Sequence, residues 1–232
     1  MSTVAGQCDA RRVPFVLFGA GGVGAALLEQ IVSARKLHEE RYGVRFDPVA
    51  VCDSSAAVSG GNSAGLSDEE IAAIIAHKAG GGKLSAHSGS VLAKADGQSA
   101  SAFLESVVDK YGKADAGTIV VDCTASDATV PALISASKGL RAVSANKKPF
   151  ASSMDTFTQL ALQPSSPARV RYEATVGAGL PVIAALQRVV GAHDGVTLIS
   201  GSFSGTLGYV MSGLQVRLAS PSPSLSLARS DP

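Results

Sequence analysis

The sequence predicts an α/β protein built on a doubly wound, mostly parallel sheet, and three observations carry that expectation. Short apolar runs at residues 15–18, 48–53, 118–122 and 141–144 alternate with segments of helical spacing, the pattern of a parallel sheet covered on both faces. Aromatic residues make up only 5% of the 232-residue chain and Trp is absent, so the core must be aliphatic. The first run ends directly in a glycine-rich turn, Gly19-Ala-Gly-Gly-Val-Gly24, with Leu27, Leu28 and Ile31 at helical spacing behind it.

Strand, glycine turn and helix in that order form a dinucleotide-binding fingerprint of the Rossmann type. Gly19 permits the tight turn, Gly21 admits a pyrophosphate close to the backbone, and Gly24 lets helix and strand approach. With Ala20, Gly22 and Val23 they place unpaired N–H groups at a helix N-terminus, where phosphates bind. The second strand ends at Asp53, 29 positions after Gly24. An acid there is expected to hold ribose hydroxyls, although about 20 residues is the usual interval. An extended helix or loop over the charged residues 36–47 would absorb the difference.

Ser67 and Glu70 form a capping box opening a helix with Ile71, Ile74 and Ile75 inward, ended by three glycines. Residues 83–97 read as an irregular surface segment. A helix over 102–111 precedes the strand at 118–122, whose carboxyl end carries Thr124, Ala125, Ser126 and Asp127. A helix near 128–138 leads to the strand 141–144 and the loop Ala145-Asn-Lys-Lys-Pro149. Ligands of open α/β sheets sit outside the carboxyl ends of strands, which groups the glycine turn, Asp53, Thr124–Asp127 and Asn146 on one crevice. Farther on, a helix at 155–162, a strand at 169–173, a helix at 182–190, a strand at 196–205 and a helix from 206 are expected.

Composition excludes several classes. Net charge is +1, with no basic stripe for nucleic acid. No apolar run approaches the roughly 18 residues of a membrane span. Cys8, Cys52 and Cys123 have no metal-ligand spacing and read as reduced thiols. Without a secretory leader pattern the expected compartment is the cytoplasm, with a plastid left open.

Four blocks together go beyond a generic nucleotide fold: Gly19-Ala-Gly-Gly-Val-Gly24, Ala145-Asn-Lys-Lys-Pro149, Glu173-Ala-Thr-Val-Gly-Ala-Gly-Leu-Pro181 and Gly201-Ser-Phe-Ser-Gly-Thr-Leu-Gly-Tyr-Val210. In this order the sequence resembles homoserine dehydrogenase, in the form without a fused aspartate kinase and with plant-like strands. The resemblance implies NAD or NADP-dependent hydride transfer between aspartate 4-semialdehyde and homoserine, on the way to threonine, isoleucine and methionine. It implies a catalytic role for Lys147, substrate contacts at Gly205 and Thr206, and a sodium-like monovalent cation held by Glu173 with the carbonyls of Val176, Ala178 and Leu180. It also implies a dinucleotide-binding domain over residues 1–150 and the start of an α+β substrate and dimerisation domain over 151–215. Residues 216–232 are rich in Ser and Pro and read as disordered. Family members continue past Gln215 with a carboxylate-rich block and a second lysine. The chain departs there, so little or no turnover and a doubtful homodimer are expected. A non-catalytic dinucleotide-binding fragment that associates with full-length subunits is the alternative. A different semialdehyde reductase on the same nucleotide domain has less support, because no Cys sits in a nucleophile context.

Overall fold

The computed structural model describes residues 10–60, 65–163, 169–201 and 204–219. The chain divides into two compact units, Met1–Thr175 and Val176–Pro232.

In the first unit, β1 (Arg11–Phe18) runs into the glycine turn and α1 (Gly22–Ser33), followed by α2 (Arg35–Tyr42) and β2 (Val44–Cys52). The expected link at 36–47 is thus mostly α2, closed by Gly43 at φ 60°, a left-handed cap. This extra helix accounts for the long interval between Gly24 and Asp53. The chain next forms β3 (Ala56–Ser59), α3 (Asp68–Ala79), β4 (Ser90–Ala93) and α4 (Ala100–Tyr111). It continues through β5 (Ile119–Asp122), α5 (Val130–Gly139), β6 (Arg141–Ser144), α6 (Lys148–Ala151), α7 (Met154–Phe157), a π turn at Thr158–Leu162 and β7 (Val170–Arg171).

Seven strands share one sheet in the order β4-β3-β2-β1-β5-β6-β7. β2, β1, β5, β6 and β7 are parallel, while β3 and β4 run antiparallel at one edge. The segment expected to be irregular surface therefore carries an edge strand, and its short turn Leu84–Ala86 buries Leu84 completely.

Alternation along β1 explains the two layers. Phe15 and Leu17 face α1 and α3 with Leu28, Ile31, Ile71 and Ile74. Val16 and Phe18 face α4 and α5 with Phe103, Val107, Val108 and Leu133. Both faces of the strand are buried, as a doubly wound sheet requires. The capping box of α3 forms as expected, with Ser67 Oγ accepting from the Glu70 N–H and the Glu70 carboxylate accepting from the Ser67 N–H. Asp47, 3% exposed, draws Arg12, Arg35 and Arg45 together and ties β1 and the α1–α2 junction to β2.

The first unit extends past residue 150, because β7 adds to the sheet beside β6; the division falls after Thr175 instead. The second unit contains α8 (Val182–Gly191) and α9 (Gly205–Ala219). The strand expected at 196–205 does not form among the described residues. Its β-prone side chains find no pairing strand there, and without one backbone N–H and C=O groups have no ladder to join. The first four residues of the expected tail are helical instead. Val216-Arg-Leu-Ala219 continues α9, consistent with the helix propensity of Arg, Leu and Ala before Ser220-Pro221. Residues 220–232 lie outside the described residues.

Candidate dinucleotide site

The strand order reverses at β1, with β2 on one side and β5 on the other, so the crevice above their carboxyl ends is the topological switch point. A cavity of about 280 Å³ opens there, lined by the glycine turn (Gly19, Ala20, Gly21), the end of β2 (Cys52, Asp53, Ser54), Lys78 of α3, the start of α4, and the loop after β5 (Thr124, Ser126, Ala128, Thr129). Two further hollows exist. One of about 320 Å³ lies at the opposite, amino ends of β5 and β6 around Thr118 and Arg141. The other, also about 320 Å³, is apolar and lies against Phe15, Leu27, Val121 and Val143. Neither gathers polar groups at a switch point.

The turn geometry explains the glycines. Gly19 has φ 91°, and a Cβ there would press on Thr124 Cγ2 at 2.9 Å and the Cys123 carbonyl group at 3.1 Å. A Cβ at Gly24 would collide with the Gly19 carbonyl oxygen, so Gly24 is needed for helix–strand packing rather than for ligand contact. A Cβ at Gly21 would meet nothing within 4 Å. That is open space on the turn that starts α1, the space a pyrophosphate requires. Gly22 and Val23 form the first turn of α1, and Val23 is 60% exposed.

Asp53 stands where the ribose-binding acid was expected, at the end of β2, but its carboxylate is already engaged. Oδ1 accepts from Ser55 N–H at 2.8 Å, Ser55 Oγ at 2.6 Å and Ala56 N–H at 3.1 Å. Oδ2 accepts from Lys78 Nζ at 2.8 Å and Leu84 N–H at 2.9 Å. Burial works against its charge, but the bonds from Lys78, Ser55 and Leu84 outweigh this and hold the carboxyl well below the usual carboxylate range. Asp53 therefore fastens β3, α3 and the 84–86 turn to β2.

Across the crevice, Asn146 is 2% exposed and does not line the cavity. Its amide nitrogen lies within bonding distance of Asp122 Oδ2 (3.1 Å), Thr124 Oγ1 (3.2 Å), the Ser126 carbonyl (2.8 Å) and Thr129 Oγ1 (3.2 Å). Its oxygen accepts from the Lys148 N–H. Asn146 clamps the loop after β5 to the loop after β6. Asp122 needs this clamp, since it is wholly buried and its other oxygen is taken by the Thr124 N–H. Ala125 sits in the held loop without lining the cavity.

Lys147 follows the clamp and caps α6 with helical dihedrals (φ −73°, ψ −23°), not the extended backbone that an open loop implies. Its side chain is exposed and outside the cavity lining. Lys148 instead pairs with Asp127 at 3.0 Å. Burial pushes the Cys123 thiol up to about 11, and that of Cys52 higher still, so neither is a ready nucleophile.

The remaining expected residues divide between the units. Glu173 lies in a short turn at the end of the first. Val176, Ala178 and Leu180 open the second, where Gly177 (φ 70°) and Ala178 (φ 52°) shape a turn and the Leu180 carbonyl accepts from the Val182 N–H. Gly205 and Thr206 begin α9 and are exposed; Ser204 caps that helix through the Leu207 N–H. No group of three or more His, Cys, Asp or Glu side chains among the described residues could hold a metal. Sequence reasoning missed Lys78, Phe103 and Leu104 as cavity residues. Their approach depends on where α3 and α4 dock, which no local spacing reports.

No protein-family model matches the chain. It is 37% identical over 111 residues to homoserine dehydrogenase of Schizosaccharomyces pombe, a match covering 46% of this chain and 29% of that protein. It is 36% identical over 99 residues to the chloroplastic bifunctional aspartokinase/homoserine dehydrogenase 1 of Zea mays, covering 42% of this chain and 11% of that one. Among solved structures, a hyperthermophilic archaeal homoserine dehydrogenase in complex with NADPH superposes with a TM-score of 0.57 at 22% identity, over 78% of this chain and 50% of that one. The chain thus spans less than a third of the length of these curated relatives. Over its matched stretch it is similar in sequence to the homoserine dehydrogenases, and its α/β fold is that of the archaeal homoserine dehydrogenase structure over the part they superpose.

Proposed function

We propose that this chain takes part in homoserine dehydrogenase chemistry, the NAD(P)-dependent interconversion of aspartate 4-semialdehyde and homoserine, with the nicotinamide dinucleotide held in the crevice above β1 and β5. The observation that carries the reading is the open space at Gly21, on a strand–turn–helix unit at the point where strand order reverses. Gly21, Gly22 and Val23 offer backbone N–H groups to the pyrophosphate, and Thr124 and Ser126 line the facing wall. When bound, the dinucleotide would supply or accept the hydride. The chain's own task is to orient it, and to place a cation beside the carbonyl oxygen where negative charge develops. Lys147 is assigned to that task, supported by its place beside the Asn146 clamp. Gly205 and Thr206 as substrate contacts, and Glu173 with Val176, Ala178 and Leu180 as a monovalent cation site, are parts of the same proposal that rest on the sequence resemblance. A small-molecule substrate follows from it, and a homodimer would too.

Compartment belongs to the proposal as well. Among the described residues no helix is long and apolar enough to cross a membrane, and the maize relative is chloroplastic.

Gly21→Val tests the site. The variant should fold, because nothing lies within 4 Å of the new Cβ, yet it should lose NADPH affinity by about tenfold or more, since the branched side chain fills the pyrophosphate position. Equal affinity in calorimetric titrations of variant and wild type would end the assignment.

A further inference from the structure

The hollow of about 320 Å³ at the amino ends of β5 and β6 has a charge pattern of its own. Among the described residues its charged lining consists of two arginines, Arg141 and Arg169, and no carboxylate. Each stands one position before the paired residues Ala142 and Val170, so the two lie side by side on neighbouring strands. Like charges facing each other across strands are unfavourable, and among the described residues neither guanidinium has an ion-pair partner. Lys113, Asp115 and Lys138 adjoin lining residues in sequence and are all exposed. Arg169 Nη1 donates to the Lys138 carbonyl at 3.2 Å, in the last turn of α5, where a cation suits the negative helix end. That bond uses one of the five N–H groups of a guanidinium. The walls are fixed by backbone. Thr118, 1% exposed, closes the 113–118 turn: its N–H donates to the Lys113 carbonyl and its hydroxyl accepts from the Lys113 N–H. Gly117 (φ 69°) leaves room for Arg141, whose Nη1 lies 3.7 Å from where a Cβ would stand. The Gly139 edge is open, with nothing within 4 Å of a Cβ.

We propose that this hollow binds a small phosphorylated molecule, its phosphate bridging Arg141 and Arg169 and its body lying against Leu140 and Ala114. Two adjacent positive charges match a phosphate monoester, which carries between one and two negative charges at neutral pH and offers three acceptor oxygens. Each guanidinium can meet such oxygens with a planar fork of donors. A single carboxylate supplies one charge and leaves the second arginine uncompensated. The volume falls at the small end of small-molecule sites, which run from about 300 to 1,000 Å³. The hollow lies at the opposite ends of the strands from the crevice and shares no lining residue with it, so the proposal stands apart from the dinucleotide reading.

The test is calorimetric titration of the full chain with glycerol 3-phosphate and inorganic phosphate, with glycerol and succinate as controls. Wild type, Arg141→Gln, Arg169→Gln, Gly139→Glu and Gly21→Val are compared, with thermal unfolding measured for each. Wild type should bind glycerol 3-phosphate, more weakly as salt is raised, and should not bind glycerol. Each arginine variant should bind about tenfold or more weakly, the size expected for a lost bond to a charged group. Gly139→Glu brings a carboxylate to the open edge with both arginines intact, and should weaken binding as much. Gly21→Val should bind as wild type does, which separates the hollow from the glycine turn. If Arg169→Gln is too unstable to titrate because α5 loses its cap, Arg141→Gln and Gly139→Glu decide. The proposal is overturned if wild type binds neither phosphate, or if Arg141→Gln and Gly139→Glu bind as wild type does. Binding lost in Gly21→Val but kept in Arg141→Gln also overturns it, because the phosphate is then held by the glycine turn. Succinate bound as tightly as glycerol 3-phosphate would make the ligand a dicarboxylate and overturn the phosphate assignment.

Discussion

The two walls of the crevice are both held by a saturated polar residue, but the residues differ in kind. On the β2 side the centre is a charge. Asp53 has a lysine beside it, and the pair borders the cavity. On the β5–β6 side the centre is a neutral amide, Asn146, buried beneath the loop it holds. A charged centre at the rim can respond to the charge of what enters. A neutral centre under the loop can only fix where backbone and neighbouring side chains stand. The first wall thus carries charge at its rim, and the second carries only a fixed shape.

The sharpest way to break the second wall is Asn146→Ala. It removes the clamp between two loops and strips one oxygen of the fully buried Asp122 of its partner. A buried polar group deprived of its partner is costly, and four contacts of the amide are lost with it, so a loss of about 2–4 kcal/mol in urea unfolding is expected. A loss under about 1 kcal/mol would mean that the loops hold together without it.

Asp53→Ala should cost about 1–3 kcal/mol, because the Lys78 and Ser55 donors it strands keep some access to water, while the Ala56 and Leu84 N–H groups belong to wholly buried residues. Here acid titration distinguishes the two walls. The Asp53 carboxyl is held below its ordinary value in the folded protein. Its contribution to stability is therefore complete above the unfolded value of about 4, and is lost as pH falls through the lower folded value. The stability gap between wild type and Asp53→Asn should stay constant from pH 7 to about 5 and narrow below about 4. A gap that narrows between pH 7 and 5 would contradict the bonding described for Asp53.

The smallest effect belongs to Lys148→Ala. Its pair with Asp127 is open to solvent on both sides, so under about 0.5 kcal/mol is expected, and that only at low salt. A large loss would show that the Asn146 loop depends on this pair more than on its amide.

How much of this was legible in sequence follows the same division. The glycine turn, the capping box at Ser67 and the strands β1, β2, β5 and β6 are local patterns, and they stand where spacing puts them. Asp53 was legible as a residue at the end of β2 but not as an occupied one, because Leu84 and Lys78 reach it from 31 and 25 residues away. β3 and β4 went unseen because four-residue strands of Ala, Ser, Val and Leu show no periodicity longer than a turn. The opposite error, a strand expected at 196–205, came from reading β-prone composition where the described residues offer no pairing strand.

β1 lies at the centre of the sheet, and Val16, Leu17 and Phe18 are wholly buried between β2 and β5. Gly19 follows with its N–H bonded to the Cys52 carbonyl. Amide hydrogens in such a strand exchange with solvent only when the whole unit opens, whereas edge elements such as β4 and the 84–86 turn exchange through small local openings. The glycine turn should therefore persist as long as the first unit is folded at all. The 84–86 turn beside Lys78 should open and close many times within that lifetime, so its amides should exchange well before those of β1.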